Sequence, residues 1–248
     1  MRITILGSGT STGVPMLGCR CEVCRSADPR DRRLRASAFI ETGGKRLLID
    51  CGPDFRQQAL LYGLAKPDAV LFTHEHYDHV GGVDDLRPFR GSELYAEQRV
   101  ADAIRRNLPY CFSDTPYPGA PLLTLHTIGE EPFIAAGVSV IPVRAYHAAL
   151  PVLGFRIGNM AYLTDVSRIA DSEIRKLEGI DLFIVDALRR TPHFSHFTLA
   201  EAQALADRTG ARRVYFTHIC HEMGLYAEVE RDLPPHQHLC VDGLALEC

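Results

Sequence analysis

The stretch FTHEHYDHVGG, residues 72–82, constrains this chain more than any other. It places His74, His76, Asp78 and His79 within six positions, after the apolar run AVLF and before two glycines. An apolar run of this kind reads as a strand, so the four polar side chains lie just past its C-terminal end. Ligand sites of α/β folds gather at such ends. Residues i and i+2 of an extended segment project the same way, so His74 and His76 can converge on one ion. Asp78 and His79 then turn into a VGG loop that leads a helix, where they can serve a second ion. Imidazole with carboxylate suits Zn²⁺, Mn²⁺ or Fe. The competing reading is three surface histidines in a polar loop. So many ligand-type residues between a strand and glycines argue against it.

Four ligands do not fill two ions, and three other strand ends offer more. VIPVRAYHA ends on His147, AYLTD on Asp165 and RVYFTH on His218. A lone histidine at any of these places is more often a satisfied polar residue; the shared placement makes them a set.

Short β-branched apolar runs alternate with amphipathic stretches. RITIL, RLLID, AVLFT, VSVIPV, LGFRI, AYLTD, LFIVDA and RVYFTH read as strands. Helices are expected over 54–63, 97–107, 170–178 and 198–208. In the last, Thr198 can cap, Glu201 completes a capping box and Gly210 follows the end. Strands fall in two batches, 1–96 and 122–247, without a clear boundary, so one α/β domain of two similar halves over 1–248 is expected. The chain has no apolar run near the length of a membrane span. Its first residues lack the apolar core and cleavage site of a signal peptide, so a cytoplasmic protein is expected. A net charge of −4 argues against a general nucleic-acid binder. The run Arg30, Arg32, Arg33, Arg35 reads as a solvated loop, with anion attraction near a site as the alternative.

Taken in order, His74-x-His76-x-Asp78-His79, His147, Asp165 and His218 resemble the motif pattern of the metallo-β-lactamase fold, and Asp50 in LLIDCG stands where its first motif does. The resemblance runs from residue 1 to about 242. It implies an αββα four-layer sandwich with two Zn²⁺ or Mn²⁺ ions at the sheet edges. His74, His76 and His147 would hold one ion, Asp78, His79 and His218 the other, and Asp165 would bridge. Asp50 would orient a metal-binding histidine from behind, and Asp78 and Asp165 would take part in catalysis.

Eight cysteines in a cytoplasmic chain are poor candidates for disulfides. Cys19, Cys21 and Cys24 lie within six residues, and three such thiols ask for a fourth partner. His221, three residues beyond His218 in THICHEM, could complete a tetrahedral Cys₃His site for one structural zinc. Small buried thiols are the plainer reading. Cys51, Cys111, Cys220, Cys240 and Cys248 have no such company and read as packing residues or free thiols.

With GSGTSTGVP and His196, this cluster makes the chain similar to the PhnP subgroup, phosphodiesterases that open the cyclic phosphate of a phosphoribose. That resemblance implies a small phosphodiester substrate, a homodimer, and His196 as the catalytic acid. His193 is the competing acid, and either could act beside a phosphate held at the N-terminus of the helix after Thr198. GSGTSTGVP and SHFTLAEAQALA also resemble the tRNA 3′-end processing endonucleases. This chain lacks their long inserted arm, has THICHEM after the last metal histidine, and carries the cysteine cluster. A cyclic phosphodiesterase therefore ranks first, a nuclease second, and a thioesterase or lactamase third.

Overall fold

The computed structural model describes residues 1–113, 115 and 118–248. In chain order the strands are β1 (Arg2–Gly7), β2 (Ser37–Thr42), β3 (Lys45–Ile49), β4 (Ala69–Leu71), β5 (Ser92–Ala96), β6 (Leu123–Thr127), β7 (Phe133–Ala135) and β8 (Val138–His147). There follow β9 (Leu150–Ile157), β10 (Met160–Leu163), β11 (Arg168–Ile169), β12 (Leu182–Asp186), β13 (Arg213–Thr217), β14 (Gln237–Leu239) and β15 (Ala245–Glu247). The helices are α1 (Glu22–Arg25), α2 (Phe55–Tyr62), α3 (Tyr77–Val80), α4 (Gln98–Asn107), α5 (Asp171–Ile174), α6 (Leu199–Thr209) and α7 (Tyr226–Asp232).

Two sheets result. One runs β15-β1-β2-β3-β4-β5-β6, the other β11-β8-β9-β10-β12-β13-β14, with β7 paired to β8. Side chains alternate faces along each strand, and this sorts the apolar residues into three cores. Leu47 and Ile49 of β3 meet Leu182 and Ile184 of β12 in a core between the sheets. Leu48 faces the other way, onto Phe55 of α2 and Val100 and Ile104 of α4. Phe183 and Val185 of β12 face Leu199, Ala202 and Leu205 of α6 and Val229 of α7. The order is helix, sheet, sheet, helix: the αββα sandwich that the family resemblance implies.

All eight expected strands are present. The others lay outside the sequence reading because most are short or half polar, such as β5, whose residues alternate between buried and partly exposed. The helix expected over 170–178 divides into α5 and a 3₁₀ turn at Arg175–Leu177. Arg156 donates to the carbonyls of Lys176 (2.5 Å) and Glu178 (3.0 Å), which lie at the end of the segment where no helix amide follows to bond them. Asp78 and His79 do not precede a helix; they lie inside the single turn of α3, and VGG leads to a 3₁₀ turn at Val83–Leu86. The arginine run is not one solvated face. Arg33 is buried and donates to Ser8 Oγ (2.8 Å) and Cys240 O (2.5 Å), while Arg35 pairs with Asp54. Among the described residues no helix is long and apolar enough to cross a membrane.

Candidate metal centre

The strand ends bring the seven sequence-selected ligands into one place. Asp78, His79, Asp165 and His218 each offer an atom within 4.8 Å of the others. His74, His76 and Asp165 form a second such group, and His147, Asp165 and His196 a third. Asp165 belongs to all three, which places its carboxylate between the histidine sets. His147 lies beside the first pair, with ring centroids 5.1 Å from His76 and 5.9 Å from His74.

The backbone is bent to achieve this. Asp50, Asp165 and His218 have φ of 60°, 56° and 59°, a region non-glycine residues seldom enter, and Ala148 after His147 has 54°. Strain of this kind persists where surrounding structure holds it in place, and it gathers at functional sites.

Hydrogen bonds behind the rings aim each inner nitrogen at the centre. His79 Nδ1 donates to Asp50 Oδ2 at 2.7 Å. Thr73 Oγ1 gives its one proton to Asp50 Oδ2 (2.8 Å), so it accepts from His74 Nδ1 at 2.9 Å. His147 Nδ1 donates to the Ser195 carbonyl at 2.7 Å. Each bond leaves Nε2 with a lone pair facing the site. Asp50 thus stands behind two histidines, one directly and one through Thr73. Sequence reasoning missed Thr73 and Ser195, which carry no metal-ligand chemistry of their own.

The inner atoms are unsatisfied. The Nε2 atoms of His74, His79 and His218 are buried without a hydrogen-bond partner. Asp50, Asp78, Asp165 and Asp186, four carboxylates at most 8% exposed, crowd the same space. Burial holds His74 and His147 below the usual imidazole range, the neutral form that ligates. Burial also opposes charge on His79, but Asp78, Asp165 and Asp50 outweigh it and raise its pKa above the usual imidazole range, and a divalent cation among those carboxylates would take the place of the proton they draw to Nε2. Orphaned nitrogens among clustered carboxylates are what divalent cations satisfy, so the residues present fit divalent metal.

Asp186 is the residue the sequence reading overlooked, although it ends β12 as Asp165 follows β10. Its Oδ2 takes His196 Nδ1 at 3.2 Å and the amides of Val166 (3.1 Å) and Phe197 (3.3 Å). Its Oδ1 lies 3.7 Å from His218 Nδ1. His196 is buried, with Nε2 3.8 Å from Asp165 Oδ1. Burial lowers its pKa, but the Asp186 carboxylate outweighs burial and pushes the ring up to about 9. His193 sits at the rim, its ring 5.3 Å from that of His196. The expected phosphate seat at the N-terminus of α6 is already filled. Thr198 accepts from the Glu201 amide, Glu201 accepts from the Thr198 amide, and the Leu199 amide bonds Arg189 O at 2.9 Å. The Glu201 charge sits where the anion would.

Away from this centre, Cys19, Cys21, Cys24 and His221 place their ligand atoms within 4.8 Å of one another. His221 Nδ1 is 3.2 Å from Cys21 Sγ and 3.6 Å from Cys19 Sγ. The amides of Cys24 and Met16 point at Cys21 Sγ and Cys24 Sγ, both at 3.4 Å, as donors do around thiolates. Three thiols and one imidazole suit a closed zinc site. Of the other cysteines, Cys51, Cys220 and Cys240 are buried and Cys111 and Cys248 half-buried, all unpaired.

The Beta-lactamase superfamily domain matches residues 45–219, the span from β3 through His218. The chain belongs to the beta-lactamase superfamily. Within that superfamily its structure is similar to a diphosphatase of the PhnP family, with 40% identity, a TM-score of 0.93, and 100% and 97% of the two chains covered. It also shares its fold with the short form of human tRNase Z, at 20% identity, TM-score 0.70, and 100% and 99% coverage. In sequence it is 50% identical over 250 residues to the octanoyltransferase of Porphyromonas gingivalis strain W83. The match takes in 98% of this chain and 51% of that protein, so this chain spans about half the length of that relative.

Proposed function

We propose that the chain is a dinuclear-metal hydrolase, a phosphodiesterase acting on a small cyclic phosphate such as phosphoribosyl 1,2-cyclic phosphate. The observation that carries this is the convergence of Asp78, His79, Asp165 and His218 with His74 and His76, three of whose rings keep buried, unpartnered Nε2 atoms. In this reading His74, His76 and His147 hold one divalent ion and Asp78, His79 and His218 the other, with Asp165 between them. Bound there, two Zn²⁺ or Mn²⁺ ions supply Lewis acidity that neutralises phosphoryl charge and makes a bound water more acidic. The protein's own part is positional. Asp50 and Thr73 hold the ligating tautomers of His79 and His74. Asp186 accepts from His196 Nδ1, which leaves Nε2 to face the centre and give a proton to the departing oxygen. Burial of these groups keeps bulk water away from that transfer.

The PhnP-family relative is a diphosphatase at 40% identity, which favours phosphoryl substrates over amides or thioesters and makes a phosphoanhydride the second reading. Cys19, Cys21, Cys24 and His221 hold a structural zinc that ties the N-terminal loop to the segment carrying His218. The core shared between the sheets supports one domain over 1–248, and a cytoplasmic homodimer completes the proposal. The metal-loaded protein should hydrolyse bis-p-nitrophenyl phosphate and a five-membered cyclic phosphate. Efficient cleavage of a thioester, a lactam or precursor tRNA, with neither phosphate substrate turned over, overturns the assignment.

A further inference from the structure

The segment between Arg189 and His196 is braced, yet it leaves an aromatic side chain in water. Arg189 donates to Thr191 O (3.2 Å) and Pro192 O (2.9 Å), and its remaining nitrogen pairs with Glu222, next to His221. Ser195 donates to His193 Nδ1 from its amide (3.4 Å) and hydroxyl (3.2 Å). An amide can only donate, so Nδ1 is an acceptor and the ring proton of His193 is on Nε2. Phe194, 81% exposed, stands against this ring at a centroid distance of 4.7 Å and a tilt of 35°. The His193 ring lies in turn 5.3 Å from His196. An aromatic platform with one ring N–H therefore begins one ring beyond the proton donor.

We propose that His193 and Phe194 form a subsite for a nucleobase on the leaving side of a phosphorylated substrate. This rests on the phosphoryl reading above and moves the substrate class within it, from phosphoribosyl 1,2-cyclic phosphate, which carries no base, to a nucleoside phosphate. Three features select the ligand. The exposed faces suit a planar ring, since bases stack on Phe and His. His193 Nε2–H is a donor, and base edges carry the ring nitrogens and carbonyls that accept. Of the two arginines of the segment, Arg189 is held by Glu222 and two carbonyls and Arg190 lies 3.7 Å from Asp232, so each cation of the segment already has a carboxylate beside it. That favours one nucleoside over a length of nucleic acid.

Calorimetric titration of the metal-loaded protein with AMP and with ribose 5-phosphate tests this. The two probes share sugar and phosphate and differ in the base. AMP should bind more tightly than ribose 5-phosphate. Phe194→Ala should weaken AMP by about 5- to 150-fold, the usual range for loss of one base stack, and leave ribose 5-phosphate unchanged. Phe194→Trp should retain the AMP preference. Equal affinity of the wild-type protein for both probes, or equal weakening of both in Phe194→Ala, overturns the subsite while leaving the phosphoryl reading intact. If neither probe binds, the subsite falls, while the phosphoryl reading is decided by the hydrolysis assay above.

Discussion

His196 Nδ1 and Asp186 Oδ2 face each other at 3.2 Å, both buried, at the edge of the histidine and carboxylate cluster. A carboxylate in this place fixes which nitrogen of the ring faces the substrate. His196→Ala should therefore slow esters with alkoxide leaving groups by about 10²–10⁴-fold. Phosphodiesters with a p-nitrophenyl leaving group need no proton and should be spared. Asp186→Asn should show the same leaving-group dependence in weaker form. Parallel steady-state assays on the two substrate types check this, and equal losses on both would mean that His196 only binds or positions phosphate.

Asp165 belongs to three of the four catalytic-side groups, and to every one that includes His74, His76, His79 or His147, so its loss should disturb both proposed ions at once. Asp165→Ala should abolish turnover and lower bound metal, with the circular dichroism spectrum kept. Metal analysis alongside bis-p-nitrophenyl phosphate turnover reads both effects. Full activity in this variant would remove Asp165 from the centre.

Cys21 Sγ has the closer approach to His221 Nδ1 of the two thiols near that ring. Cys21→Ala should release one zinc per chain and lower the melting temperature. The remaining catalytic metal should still support turnover below that temperature. A zinc count unchanged from wild type would show that the four residues hold no ion.

Asp242, which is not one of the proposed ligands, gives a pH-dependent prediction. Burial raises its pKa, and the Leu34 amide, Ser8 and Arg33 pull it back, leaving it at about 6. An unfolded aspartate titrates near 3.9, so the folded protein holds a proton that the unfolded chain releases. The resulting stability is fully present below about pH 4 and is lost as pH rises through about 6. Compared with Asp242→Asn, the wild-type protein should lose relative stability across that window and show no further change above it. Denaturant midpoints of both proteins at acidic and neutral pH check the sign.

Much of the site was legible because metal ligands are few in kind and sit at strand ends. An apolar run that stops on His147, Asp165 or His218 is visible without coordinates, and so is the dense motif from His74 to His79. Asp50 was legible only through the family resemblance, and the cysteine cluster through three thiols within six residues. Asp186, Thr73 and Ser195 were not, because a carboxylate, a hydroxyl and a carbonyl are ordinary until a ring is brought against them.

The sequence by itself determined the period-two apolar strands, the capped helix from Leu199 to Thr209, and the set of side chains able to bind metal. These depend on local chemistry and spacing, which the linear order carries. Only the tertiary structure decided that Arg33 is buried rather than solvated and that the α6 N-terminus is closed by its own capping box and Arg189. It also set His196 inside the centre with His193 at the rim. Those outcomes turn on which distant groups meet, such as Arg33 with Cys240 and His196 with Asp186. A buried polar atom takes whatever partner the packed fold puts beside it, and that partner is set by the closing of two sheets rather than by neighbours in the chain.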